Sequence, residues 1–376
     1  MVGMERSILP LIAEQEFGIA SRSAILSFLI SFGIVKALSN LVAGGYSDKI
    51  GRKKLLVAGW LIGLPVPFML MWAPSWSWIV AANILLGVQQ GFCWSTTVIM
   101  KIDLAGPRQR GFAMGLNEFA GYVAVAVAAY WSASLAADFG LRPVPFYLGV
   151  GFVILGLLLS LLFVRETQHH ARVEQAESQH PPSSHSFRQI FALTSWKNKN
   201  LLSCSQAGLV NNLNDGVAWG LFPLYYASLH YSIHQIGALT ALYPAMWGLA
   251  QLTTVAISDR LGRKWMIVLG MWLQAGALWL MIFMTNGPFV MIAAILLGIG
   301  TAMVYPTLLA AVGDAAQPEW RASAVGIYRL WRDLGYAIGA IVSGIVADLF
   351  GIENAILLVG FVTMLSGFQV VFAFKE

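Results

Sequence analysis

Charged side chains are scarce in this sequence: Asp, Glu, Lys and Arg make up 11% of 376 residues, against roughly 25% in ordinary soluble domains. That scarcity excludes a soluble globular surface. Cysteine is nearly absent, with only Cys93 and Cys204, both inside apolar stretches. A disulfide framework is therefore not indicated, and small buried apolar side chains are the simpler reading. The sequence also lacks a phosphate-cradling glycine loop, a nucleophile elbow and zinc-ligand spacing, so nothing supports an ATP-driven pump, a hydrolase or any other enzyme, and no cofactor or metal is expected. A cleavable signal is missing too, because no basic region followed by an apolar region and a small-residue site opens the chain.

Apolar length is what the sequence has in abundance. Hydrophobic residues reach 58% and the mean hydropathy is +0.70. Runs such as LLVAGWLIGLPVPFMLMW (55–72) and FYLGVGFVILGLLLSLLFV (146–164) approach the ~20 residues that cross a bilayer. Eleven full spans are predicted, at 22–46, 55–73, 77–100, 111–136, 145–164, 200–227, 235–258, 265–285, 288–312, 322–349 and 353–374, after a partial one at 1–17. The net charge of +5 does not point to nucleic acid, because 17 of the 23 Lys and Arg fall in alternate connections or at the C-terminus. The positive-inside rule puts those connections and both chain ends in the cytoplasm. A multi-pass protein of a cell (inner or cytoplasmic) membrane is expected.

The interval 166–199 divides the chain into an amino-terminal unit (1–165) and a carboxy-terminal unit (200–376), which match at a shift of 211. Asp48, Gly51, Arg52 and Lys53 map onto Asp259, Gly262, Arg263 and Lys264; Pro107, Arg110 and Gly115 map onto Pro318, Arg321 and Gly326; Gly140 maps onto Gly351. Repeats of this kind read as two related bundles with a binding site between them near the midplane. The first span falls short by roughly a dozen residues, since nine precede Pro10 where about 22 precede Pro223; at ~1.5 Å per residue nine cannot cover half a bilayer. Either the coding start lies further upstream or the chain is truncated. The interval holds His169, His170, His180 and His185 among Pro, Ser and Gln, which points to a flexible linker rather than a metal site. SFRQIFALTSW (186–196) at its end reads as a short interfacial helix.

These features resemble the major facilitator superfamily. GGYSDKIGRKK (44–54) follows that family's loop signature between its second and third helices, and VAISDRLGRK (255–264) echoes it, with Val255 where the opening glycine belongs. The resemblance covers the whole chain. It implies an all-α membrane protein of two six-helix bundles related by a pseudo-two-fold axis, with helices 1, 4, 7 and 10 lining a central cavity and helices 2, 5, 8 and 11 forming the bundle interface. The arginine motif and the Gly-Pro pair of the proton-coupled drug antiporters are absent, since the fourth span opens AANILLGVQQG with Asn83 and the fifth reads LNEFAGYVAVAVAAY. That departure leaves the subfamily open and argues against drug/proton antiport. In the loop signature, Gly44, Asp48, Gly51 and Arg52, with Asp259, Gly262 and Arg263, are expected to gate. A carboxylate there can accept from a helix end, and Arg52 can clamp a neighbouring acid; the lysines serve mainly as topology charges.

Charges inside the spans are costly and need partners. Arg329, Arg332, Asp333 and Tyr336 lie at i, i+3, i+4 and i+7 on one stripe of the eleventh span. Asp333 and Lys36 lie at the same depth, so they are expected to pair across the interface. One Asp cannot neutralise Lys36, Arg329 and Arg332, and the surplus favours an anionic or zwitterionic solute. Glu118, which the shift carries onto Arg329, is either a proton-coupling residue or half of a fixed ion pair. A cavity lining is expected from Glu5, Arg6, Gln90, Trp94, Asn211, Asn214, Asp215, Trp219, Thr301 and Tyr305. Helix-to-helix hydrogen bonding is the competing account of the asparagines, and simple packing that of the aromatics.

The sequence thus leads to a secondary transporter moving a small polar solute by alternating access, coupled to protons through Glu118 or Asp215, monomeric, with the solute, protons and the lipid bilayer as partners. The alternative is a non-transporting sensor or assembly protein of the same fold, for which the shortened first span is the best argument.

Overall fold

The computed structural model describes residues 1–169, 186–317 and 320–375, and for residues 44–46, 48–49, 102, 105–114, 255–256, 259–260 and 322 the backbone alone. His170, His180 and His185, and the side chains of Asp48 and Asp259 and the surroundings of Gly44, therefore lie outside the described residues. The architecture is helical throughout, in the order α1 (Val2–Gln15), α2 (Arg22–Ile25), α3 (Ser27–Ile50), α4 (Arg52–Gly63), α5 (Val66–Met71), α6 (Trp76–Phe139) and α7 (Tyr147–Leu162) in the first half. The second half follows as α8 (Phe187–Ala192), α9 (Lys199–Gly220), α10 (Phe222–Ser228), α11 (Ile233–Leu261), α12 (Arg263–Phe283), α13 (Gly287–Ala315), α14 (Arg321–Phe350) and α15 (Ile352–Ala373). Among the described residues, seven segments are both long and apolar enough to span a membrane, including Gly115–Phe139, Val144–Leu162 and Ser323–Phe350.

Local chemistry sets where these helices start and stop. Ser232 and Gln235 cap each other's backbone at the start of α11, and Asn198 caps α9, satisfying donors that a helix start leaves open. Pro223 ends α9 and opens α10, since proline cannot donate to the turn before it. The repeat survives in backbone detail: Gly51 and Gly262 have φ of +99° and +90°, and Gly140 and Gly351 have +89° and +91°. All four sit where a side chain would strain the turn.

One element departs from expectation. The break predicted between the spans at 77–100 and 111–136 is absent, and helical backbone runs through Trp76–Phe139. The axis nevertheless reverses: the rings of Trp94 and Tyr122 lie 5.9 Å apart, whereas 28 residues of straight helix would separate them by about 42 Å. The two limbs of α6 are thus antiparallel neighbours. The predicted interfacial helix at 186–196 is also modified, with α8 giving way to a π-turn at Leu193–Lys197.

The two halves pack as six-helix bundles whose contact is uneven along its length. One core cluster draws on both halves, joining Leu26, Phe28, Phe32 and Ala133 to Trp219, Leu221, Ile236, Tyr336 and Ala347. It occupies the end away from the basic loops. At the basic-loop end the cores are separate: Leu56, Cys93 and Met100 belong wholly to the first half, and Leu201, Cys204, Ile327 and Tyr328 wholly to the second. Both cysteines are buried and unpaired.

Candidate functional site

The seam between the halves is built from α3 against α14 and the second limb of α6 against α11. Its packing is legible at four symmetry-related positions. Gly115 and Ala133 are 18 residues apart, as are Gly326 and Gly344, which is about five turns and hence one helix face about 27 Å long. The far members touch their partners closely. A Cβ on Gly344 would lie 2.8 Å from the Cα of Ser23, and one on Gly237 would lie 2.2 Å from the Cβ of Ala133. Near the basic loops, Gly115 and Gly326 meet nothing within 4 Å among the described residues. Among the described residues, the closest contacts between the halves therefore lie at the far end.

Polar contacts follow the same division. At the far end Asp348 accepts from Ser21 Oγ at 2.9 Å, the Ser23 amide at 3.1 Å and the Ser23 hydroxyl, and His234 lies 3.3 Å from Asp138. At the basic-loop end the contacts between described residues stay within each half. Arg52 Nε donates to Asp103 at 3.2 Å and Arg263 Nε to Asp314 at 3.3 Å, and Asp103 shifts by 211 onto Asp314. The acids clamped by the loop arginines are thus a repeated pair, and they lie in the same half as their arginine. Glu166 accepts from the amides of Arg52, Lys53, Thr167 and Gln168 at 2.9–3.1 Å. Partial burial pushes its carboxyl up, but the four amide donors outweigh that and hold it below the usual range.

In the middle of the seam lies a cavity of about 40 Å³, lined by Lys36, Asn40, Gln90, Trp94, Tyr122, Trp219, Tyr305, Arg329, Arg332, Asp333 and Tyr336 among others. Lys36 Nζ and Arg332 Nη1 stand 3.6 and 3.3 Å from Asp333 Oδ1. Asn40 donates to the same carboxylate and accepts from Ser95 at 2.7 Å. Arg332 lies 3.9 Å above the Tyr305 ring, and Lys36 lies 5.0 Å from that of Tyr336, so aromatic faces share the work of offsetting positive charge. Glu118 is buried and accepts from Asn117 at 3.1 Å. Charges from both halves converge here.

Of the ten predicted lining residues, Gln90, Trp94, Trp219 and Tyr305 reach the cavity wall. The other six stand behind it. Arg6 is buried inside a cage of Phe32, Phe28 and Trp219, 4.5, 5.1 and 5.7 Å from their ring centres, and Glu5 is buried beside it; neither side chain makes a hydrogen bond to a described residue. Asp215 accepts from Tyr243, which is 3.3 Å from Thr301. Asn211 is fully buried one turn before Asp215. Asn214 turns away, donating to Gln274 at 2.8 Å and accepting from Thr363 at 2.7 Å. It therefore ties α9 to α12 and α15. Asn214→Ala orphans a buried acceptor on Gln274 and is expected to cost about 1–3 kcal/mol, read as a lower unfolding temperature with the affinity of any bound solute unchanged.

Sequence reasoning did not single out Asn40, Ser95, Tyr122 or Tyr243. A small signal for Asn40 existed, four residues after Lys36 on the same helix face. Tyr122 stacks on Trp247 across the seam with ring centres 3.5 Å apart, and nothing in the pattern of either helix marks that pairing.

Comparison with known proteins agrees with this architecture. The family model of the Major Facilitator Superfamily matches residues 2–206 and 204–376. Multidrug resistance protein MdtG of Serratia proteamaculans is 27% identical over 271 residues, 69% of this chain and 62% of that one, so the match spans less than two thirds of that relative. MdtG of Enterobacter lignolyticus is 24% identical over 95% of this chain and 84% of its own. An uncharacterized MFS-type transporter of Methanocaldococcus jannaschii is 21% identical over 86% and 82%. Among solved structures, a POT family transporter in complex with 5-aminolevulinic acid superposes with a TM-score of 0.77 at 13% identity, over 99% of this chain and 92% of that one; one in complex with a thioalcohol-conjugated peptide gives 0.78. With both halves matched by the family model and the whole chain superposing on this fold, the protein belongs to the Major Facilitator Superfamily and is an integral multi-pass membrane protein.

Proposed function

We propose that the protein is a secondary transporter that carries a small anionic or zwitterionic solute through the seam cavity by alternating access. The observation that carries this reading is the charge of the wall: Lys36, Arg329 and Arg332 face one carboxylate, Asp333. Desolvated positive charge in excess is stabilised by an incoming carboxylate or phosphate far more strongly than it would be in water. The units 1–165 and 200–376, joined by the linker 166–199, are the bodies that rock. The contacts described close the far side of the seam, the basic loops together with both termini face the cytoplasm of the inner membrane, and the functional unit is a monomer. Loop residues Gly44, Asp48, Gly51, Arg52, Asp259, Gly262 and Arg263 serve the closure of the cytoplasmic side.

Protons are the coupling ion in this reading, through Glu118 or Asp215, two buried acids that stand within reach of seam cations or a tyrosine hydroxyl. Glu118→Gln and Asp215→Asn, reconstituted separately, test it. At least one variant is expected to lose uptake driven by an imposed pH gradient by about 100-fold while keeping solute exchange at equal pH. Unchanged gradient dependence in both sinks proton coupling. A thermal-shift screen over dicarboxylates, amino acids and phosphorylated solutes tests the solute class, since a ligand of the folded state raises its apparent stability.

A second reading is favoured by the relatives named for multidrug resistance and by the aromatic wall of Trp94, Tyr122, Trp219, Tyr305 and Tyr336. Export of lipophilic solutes would use those rings. Three wall cations disfavour cationic drugs, so protection by lipophilic cations but not by organic anions in the same screen would reverse the assignment.

A further inference from the structure

The strand of chain between the linker and α9 has two unlike faces. Ser186 and Gln189 cap α8, the backbone then slips into the π-turn at Leu193–Lys197, and Asn198 starts α9. Inward, Ile190 is buried in the second-half core, and Ser205 Oγ donates to the Thr194 carbonyl at 3.0 Å. Outward, Phe187 and Trp196 are each 56% exposed, beside exposed Arg188, Lys197 and Lys199. No Asp or Glu occurs from 186 to 199, and among the described residues none pairs with these three cations. Lys375 is brought alongside by two hydrogen bonds between its backbone and Asn200, at 2.7 and 2.9 Å.

We propose that this outward face binds the anionic phospholipid headgroups of the leaflet at the basic-loop end, and that binding there is transmitted to α14 through Ser195. Exposed aromatic rings settle at headgroup level, while guanidinium and ammonium groups pair with phosphates. The chemistry fits a lipid surface because the two rings need an apolar layer immediately beneath the phosphate layer, which a free phosphate does not offer. Transmission rests on separate contacts. Trp331 Nε1 donates to Ser195 Oγ at 2.9 Å, and Phe191 lies 6.4 Å from the Trp331 ring. Trp331 directly precedes Arg332 and Asp333, so whatever fixes the segment also fixes the start of the seam cluster. A π-turn, with its looser i to i+5 ladder, lets the segment adjust without unwinding α9.

The test is hydrogen exchange of the full chain in nanodiscs of phosphatidylcholine, with and without one-third phosphatidylglycerol. Phosphatidylglycerol is expected to slow exchange at least about threefold in both 187–199 and 326–336. The combined variant Arg188→Gln, Lys197→Gln, Lys199→Gln is expected to lose both effects and to bind phosphatidylglycerol about tenfold or more weakly by native mass spectrometry. Ser195→Ala and Trp331→Phe should keep the protection of 187–199 and lose that of 326–336. Retention of binding by the triple variant, equal protection in phosphatidylcholine alone, or the same protection from inorganic phosphate in detergent overturns the lipid site. Continued protection of 326–336 in both Ser195→Ala and Trp331→Phe overturns the transmission.

Discussion

Asp333→Ala is expected to lower the stability of the purified protein by about 3–5 kcal/mol, because removing one member of a buried ionic cluster leaves the others charged and unpaired. Lys36 at 3.6 Å and Arg332 at 3.3 Å both depend on this carboxylate, and Asn40 donates to it from the other half. The loss comes from the stranded cations. Adding Lys36→Met to Asp333→Ala should therefore recover a substantial part of it, and a double-mutant cycle on unfolding temperature would read the coupling directly. Strict additivity of the two substitutions would show that Lys36 and Asp333 do not interact. Asp333→Asn is the milder test, since its amide oxygen still accepts from Asn40.

Gly344→Val should be nearly as damaging, for a steric reason. Its added Cβ would fall 2.8 Å from the backbone of Ser23, which no side-chain rotation relieves, so overpacking of about 1–3 kcal/mol is expected. The substitution also wedges the joined end of the seam, and cysteines placed near Ser21 should become more reactive to thiol reagents. The opposite outcome is expected five turns away. Gly326→Ala meets no described residue within 4 Å and gains roughly 0.5–1 kcal/mol of helix propensity, yet it should slow transport if that face has to close in the other state. A Gly326→Ala variant that is more stable and equally fast would argue against closure at that face.

Much of this arrangement was readable from spacing alone. The shift of 211 gave the repeat, and equal depth along two helices gave Lys36 and Asp333 as a pair. Depth is a one-dimensional quantity, fixed by counting residues from a charged helix end. Direction around the axis is harder to read. Asn211 and Asn214 differ by about 60° in azimuth, enough for Asn214 to face Gln274 and Thr363 in its own bundle. Arg6 shows another limit: its cage joins Phe28 and Phe32 of α3 to Trp219 of α9 in the other half, and no periodicity within one helix announces it. The acids Asp103 and Asp314 were within reach, because applying the shift to every carboxylate would have found them. The reversal inside α6 was obscured for a local reason, since helical backbone continues through the turn where a break was expected.

Glu118 and Arg329 occupy equivalent places in the two halves and yet carry opposite charges. A two-fold axis sets each residue near it against its own copy. Had the two halves been separate, identical subunits, a glutamate there would have faced a glutamate, or an arginine an arginine, and the dimer would have been pushed apart at its centre. A single polypeptide encodes each copy separately and can carry a different sign in each. Opposite signs at this position are thus open to one chain that carries both repeats and closed to a symmetric dimer of identical halves.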